Sequence, residues 1–210
     1  MAKTEARESE DFYNVLADGK FHITVPEGTD GAVLRKYETS TGEEGEKWEK
    51  VYQDLSGTIT KVDMFEGKYG KNILLSMKDD DGEFVVSLGT SSNFGEDMLK
   101  KLLNIDLTKE VKLAPYSFID ETTKKAKKGV TVTQDGVKIH SYFHSYDAET
   151  KKTKEIKGYP VAPKAKANKV ISSDEWKMYF MQARLFMIGV LEEKFQIGVP
   201  ETSGTDLTTF

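Results

Sequence analysis

The 210-residue chain contains no cysteine, which removes disulfides, thiol nucleophiles and every cysteine-ligated zinc or iron–sulfur site. It has only five prolines and three histidines, too few for a Pro-rich spacer or a histidine-rich metal tract. No apolar run approaches the roughly 20 residues that span a bilayer. The start shows no basic stretch leading into an apolar one, so no secretory signal is expected and a soluble, cytoplasmic protein is the default. What the chain does have is 38% apolar and 10% aromatic residues, enough to bury a core.

The net charge of −5 is unevenly spread. Residues 1–50 carry −5, residues 51–120 carry −4 and residues 171–210 carry −3, whereas residues 121–170 carry +7. A basic block on an acidic chain is a local field of the kind a polyanion meets, although a lysine run is also an ordinary solvated loop.

Period-two alternation and turn signals divide the chain into short strands. Phe12–Ala17 reads as a helical turn, and Phe21–Val25 and Val33–Tyr37 read as strands. Val51–Phe65 reads as one long strand bent at Gly57. Lys71–Lys78 and Glu83–Leu88 follow, joined by the turn Asp79-Asp80-Asp81-Gly82. Helical spacing takes over at Asn93–Leu103, with Asn93 as cap. Val111–Ile119 is a further strand, and Val130–Val132 with Val137–Tyr146 form a hairpin about Gln134-Asp135-Gly136. A long helix starts at the capping box Ser172/Glu175 and runs to about Phe195. Apolar on nearly every side, it should be buried on several faces, by its own domain or by a second copy in a homodimer.

Three strands, a helix and two strands is the order of an OB-fold, a five-stranded Greek-key barrel. The expected class is mainly β with α: an N-terminal extension with short strands (1–47), an OB-fold core (48–170), a C-terminal helix (171–197) and a flexible tail (198–210).

Catalytic and metal motifs are wanting. Gly67–Asn72 lacks the spacing of a phosphate loop. The Asp79–Gly82 turn lacks the outer ligands of a calcium loop. His140 and His144 lie on an expected strand, where four residues span about 13 Å and cannot share one ion. No enzyme, metal or cofactor is expected, a carboxylate-dependent nuclease being the weakest rival.

Single-stranded nucleic acid needs flat rings for stacking and cations for phosphate along one groove. Lys61, Phe65, Tyr69 and Lys71 surround the first hairpin turn, and Lys112 faces outward on the fourth strand. Tyr116 and Phe118 share a face once Pro115 resets the alternation. In the last hairpin His140, Tyr142, His144 and Tyr146 form a row, entered by Lys124, Lys125, Lys127 and Lys128. The tail offers Asp206 and a terminal Phe210 to a partner pocket.

Tyr69-Gly70-Lys71, the Asp-Gly turn, Met98-Leu99-Lys100-Lys101-Leu102, Asn104-Ile105-Asp106 and Pro115-Tyr116-Ser117-Phe118 resemble single-stranded DNA-binding proteins of tailed bacteriophages over residues 48–146. The resemblance implies an OB-fold that coats transient single strands in phage replication, recombination and repair, in the host cytoplasm. It also implies a tail that recruits replication proteins, though this tail is less acidic than that family's. The expected function is therefore a non-catalytic, sequence-independent single-stranded DNA-binding protein, with RNA left open as a ligand. The alternative is a protein–protein adaptor or virion component acting through the helix and tail.

Overall fold

The computed structural model describes residues 11–39, 42–68, 70–143, 146–147, 152–153, 156–165 and 170–198. Ten strands form one sheet: β1 (Asp11–Val15), β2 (Phe21–Thr24), β3 (Val33–Glu38), β4 (Glu44–Tyr52), β5 (Leu55–Gly67), β6 (Gly70–Lys78), β7 (Glu83–Gly89), β8 (Glu110–Ile119), β9 (Ala126–Gln134) and β10 (Val137–Lys138). Helix α1 (Asn93–Lys101) lies between β7 and β8, and α2 (Ser173–Phe195) closes the described chain. A separate small ladder pairs β11 (Tyr146–Asp147) with β12 (Lys152–Thr153). The class is mainly β with α, and the strand order is β10-β9-β8-β5-β6-β7-β1-β2-β4-β3.

Alternation builds the core. Ile73, Leu75 and Met77 of β6, Val111 and Leu113 of β8 and Val130 and Val132 of β9 are fully buried beneath Phe94, Met98, Leu99 and Leu102 of the α1 segment. In β5 the buried positions change parity, from Gly57 and Ile59 to Val62, because Thr60 is an extra residue between the pairs Ile59↔Met77 and Lys61↔Ser76. The bend thus falls at this bulge, not at Gly57. Gly57 has another reason to be glycine, since a Cβ there would sit 2.7 Å from the Lys78 carbonyl oxygen. The expected strand from Val51 is likewise two strands, broken at Gln53-Asp54.

The closed five-stranded barrel does not form. Closing β9-β8-β5-β6-β7 on itself would require the free edges of β7 and β9 to meet. The β7 edge is already taken by β1, which runs parallel to it from Asp11↔Phe84 to Asn14↔Ser87. The expected helical turn at Phe12–Ala17 is this strand instead. Tyr13 turns inward, 5.6 Å from the Tyr52 ring and 5.5 Å from Phe84, each edge-on. The β9 edge is taken by β10 at Thr133 and Gln134 and by α1 at Val130, whose N–H donates to Asp97 Oδ2 at 2.8 Å and whose carbonyl accepts from Lys101 Nζ. With both edges satisfied by other partners, the sheet stays open.

Helix α1 is capped by Ser92, whose Oγ accepts from the Gly95 N–H at 3.0 Å; Asn93, the expected cap, is already helical. The capping box of α2 forms as expected, with Ser172 Oγ accepting from the Glu175 N–H at 3.2 Å and Glu175 Oε2 accepting from the Ser172 N–H at 2.7 Å. Ser172→Ala should cost about 1 kcal/mol, seen as faster amide exchange over the first turn of α2 with the sheet amides unchanged.

The helix is buried along one stripe only, Ala183, Met187, Ile188 and Leu191. Met178, Met181 and Leu185 on the opposite side are half-exposed or more, so the helix's own domain does not bury it on several faces. Among the described residues no helix is long and apolar enough to cross a membrane.

Candidate nucleic-acid interface

The β8–β9 hairpin projects past its neighbour. Pairing of β5 with β8 ends at Leu55↔Leu113, so from Ala114 onward β8 has only β9 beside it. This tolerates Pro115, whose missing N–H would have faced the vacated edge. The alternation is not reset there. Val111, Leu113 and Pro115 are buried, opposite Val132 and Val130 for the latter two. Lys112, Tyr116 and Phe118 therefore lie together on the outer face, beside Thr133, Gly129 and Lys127 of β9.

The two rings make a tilted pair, centroids 5.8 Å apart at 39°, and Phe118 is 52% exposed. Gly129 makes room for Tyr116: a Cβ there would be 2.6 Å from the phenol oxygen and 2.5 Å from Asp97 Oδ2. Burial, then the Asp97 charge, raise the Tyr116 phenol above its ordinary value, so it remains a neutral hydroxyl.

The loop joining the strands carries the cations on a fixed frame. Asp120 accepts from the Thr123 N–H at 2.7 Å and from Thr123 Oγ1 at 2.8 Å, and Lys127 Nζ lies 2.5 Å from its other oxygen. The Lys127 bond, followed by those from Thr123, holds the Asp120 carboxyl down at about 2. Lys124, with φ 53°, and Lys125 are exposed and make no ion pair among the described residues. Lys112 pairs with Asp54 at 3.0 Å. Half-exposed pairs of this sort are worth about 0–1 kcal/mol, so a phosphate can replace the carboxylate at little cost. Lys128 points to the other face, its Nζ donating to the Ala17 carbonyl at 3.3 Å.

Other expected contributors do not gather here. Phe65, 58% exposed, and Lys61, paired with Asp63 at 3.0 Å, lie on β5 beyond its pairing with β8. Lys71 is engaged by Glu192 of α2 at 2.6 Å. The row expected along Val137–Tyr146 does not exist as a strand, because β10 ends at Lys138. Beyond it the His140 carbonyl accepts from Asn104 Nδ2 at 3.0 Å, the Tyr142 N–H donates to the Lys100 carbonyl at 2.6 Å, and Phe143 is fully buried. His140 is exposed and Tyr142 half-buried, its ring 5.3 Å from Phe143. Tyr69, His144, Asp206 and Phe210 lie outside the described residues.

Sequence reading missed the N-terminal contribution. Gly19, φ +74°, brings the β1–β2 turn against β8, where a Cβ would be 2.4 Å from the Ser117 nitrogen and 2.6 Å from the Tyr116 carbonyl carbon. The signal was present, because Asp18-Gly19 between two apolar runs is a hairpin dipeptide. A second opening, about 700 Å³, is lined by Asp54, Asp79, Asp80, Asp81 and Glu110 with a single lysine, Lys78, and its field would repel a polyanion. Among the described residues no group of three or more His, Asp or Glu is placed to hold a metal ion. Comparison with protein-family models, with curated proteins and with solved structures finds no match to this chain.

Proposed function

We propose that the chain is a non-catalytic protein that binds single-stranded DNA without regard to sequence, through the outer face of the β8–β9 ribbon. The observation that carries this reading is the pairing of exposed Phe118 with half-buried Tyr116 at the root of a loop bearing Lys124 and Lys125. Base stacking on such rings is sequence-tolerant because every base has a π-face, and the lysines neutralise phosphate. On this reading the chain coats transient single strands in replication, recombination and repair, as the resemblance to tailed-phage proteins suggests. The tail with Asp206 and Phe210 recruits other replication proteins.

The test is titration of a labelled oligo(dT), with duplex DNA and RNA of equal length as competitors. Phe118→Ala should weaken binding about tenfold, one stacked base, and leave thermal unfolding unchanged. Lys124→Glu with Lys125→Glu should flatten the log–log salt dependence by about 0.7 for each phosphate no longer neutralised. Absence of oligo(dT) binding at low salt would sink the reading. RNA binding as tight as DNA would widen the ligand class.

A second reading is favoured by one observation, the apolar row Met178, Met181 and Leu185 that α2 turns away from the sheet. An adaptor or virion component would use that row on a partner, and a homodimer would use it on a second copy. Oligomeric change on Leu185→Glu, with oligo(dT) affinity intact, would support it.

A further inference from the structure

We propose that the β1–β2 turn, residues 16–20, is a clasp that holds the β8–β9 ribbon in its binding pose, with Asp18, His22 and Lys128 as positioning residues. The inference rests on the ribbon being the nucleic-acid interface.

The ribbon needs support that its own strands do not supply. Past Leu113 β8 pairs with β9 alone, and beyond the Pro115↔Val130 pair, where α1 holds Val130, the ribbon is two-stranded; isolated two-stranded hairpins are marginal in water. Its aromatic face stays open on one side. On the other side Ser117 and Lys128 stand opposite each other, and there the turn makes contact. Gly19 lies so close to the Ser117 nitrogen and Tyr116 carbonyl carbon that no side chain could be interposed. Lys128 Nζ reaches the Ala17 carbonyl from the ribbon side. The Lys128 ammonium is thereby occupied on the face away from Tyr116 and Phe118, and it takes no part in binding phosphate.

The turn is itself anchored to three strands. Asp18 Oδ1 accepts from the Lys20 N–H at 3.2 Å, and His22 Nε2 lies 3.3 and 3.1 Å from the two Asp18 oxygens. His22 Nδ1 lies 3.0 Å from Glu49 Oε2 of β4. Glu49 also accepts from Arg35 of β3, at 2.7 and 3.0 Å, and from Lys47 at 2.7 Å. A path therefore runs from Arg35 and Glu49 at the β4–β3 end of the sheet through His22 and Asp18 to the turn, whose backbone at Ala17 and Gly19 meets the back of the ribbon. Holding the two rings in place before the ligand arrives removes an ordering cost from binding.

The experiment combines amide exchange with oligo(dT) titration on full-length Asp18→Ala and Lys128→Met. Lys128→Met cuts the clasp from the ribbon side at a half-buried residue whose apolar stem methionine largely retains, which keeps the test informative should Asp18→Ala not fold. Both variants should speed exchange at Tyr116, Phe118 and Gly129 by about tenfold, with Leu75 and Leu99 unchanged. Both should raise the dissociation constant about threefold without altering the salt slope, whereas removal of a phosphate-binding cation would lower that slope. Unchanged ribbon exchange in Lys128→Met, or a reduced salt slope in that variant, overturns the clasp. Should the wild-type chain bind no oligonucleotide while ribbon exchange still responds, the functional reading fails and the clasp stands as a structural device.

Discussion

Glu49→Ala is expected to destabilise the fold by roughly 3–5 kcal/mol, read from the urea unfolding midpoint. The side chain of Glu49 is 1% exposed yet charged, on the outer face of β4. Burial alone would raise its carboxyl, but hydrogen bonds from Arg35, Lys47 and His22 outweigh that and hold it at about 2. Deleting the carboxylate leaves these three cationic or polar groups crowded together without their common acceptor. Arg35 and Lys47 are each about one-third exposed and recover some water, which favours the lower end of the range.

The same group sets an acid limit. Its ordinary value is 4.5 and its folded value is about 2, so the unfolded chain takes up the proton first as pH falls. The stabilisation is complete above about pH 4.5 and is lost as pH falls toward 2. Glu49→Gln should flatten the stability–pH curve in that window, whereas a curve of unchanged slope would show that other carboxyls set the acid limit.

Gly95→Ala should cost about 3 kcal/mol, against the helix scale, on which alanine gains about 1 kcal/mol over glycine. Gly95 lies in the first turn of α1, and a Cβ there would be 2.1 Å from the Gly89 carbonyl oxygen and 2.6 Å from its carbon. That carbonyl cannot retreat freely, because it accepts from both the Ser92 N–H at 2.9 Å and Ser92 Oγ at 2.8 Å. Gly189 of α2 supplies the opposite case. Nothing lies within 4 Å of its added Cβ, so Gly189→Ala should stabilise by about 0.5–1 kcal/mol. Thermal melts of the two variants should shift in opposite directions, and two shifts of like sign would refute the packing argument.

Where neighbours in sequence decide the structure, the sequence was legible. The β6–β7 strands follow from period two and their turn, β8 from its alternation and α2 from its capping box, whereas of β9 only Val130–Val132 was legible within its Ala126–Gln134 span. The outer placement of Tyr116 and Phe118 follows from the same alternation, though its supposed reset at Pro115 was unnecessary. Where distant partners decide, local pattern misled. Tyr13 is inward because Phe84 and Tyr52 receive it, and nothing near residue 13 announces them. The expected aromatic row is not a strand over its described residues, because β10 ends at Lys138 and the Tyr142 N–H bonds the Lys100 carbonyl at the end of α1. Lys71 is free in the sequence and paired in the fold, because Glu192 is 121 residues away. An open sheet edge was equally hidden, since the choice between β1 and β9 beside β7 is a competition between tertiary pairings.

The parallel seating of β1 against β7 also fixes an order of events during synthesis. Of its two neighbours in the sheet, β1 can find β2 at once, through Asn14↔His22 and Val15↔Phe21, but β7 only after residues 83–89 have been made, and parallel pairing over so long a loop carries a closure cost that adjacent hairpins do not. Until then its backbone donors and acceptors can be satisfied only by water, by β2 or by a stray chain. The β5–β6–β7 meander, whose pairings are local, can be complete before its outer edge is covered. The most vulnerable moment in the life of this chain therefore lies between the making of β7 and the docking of β1.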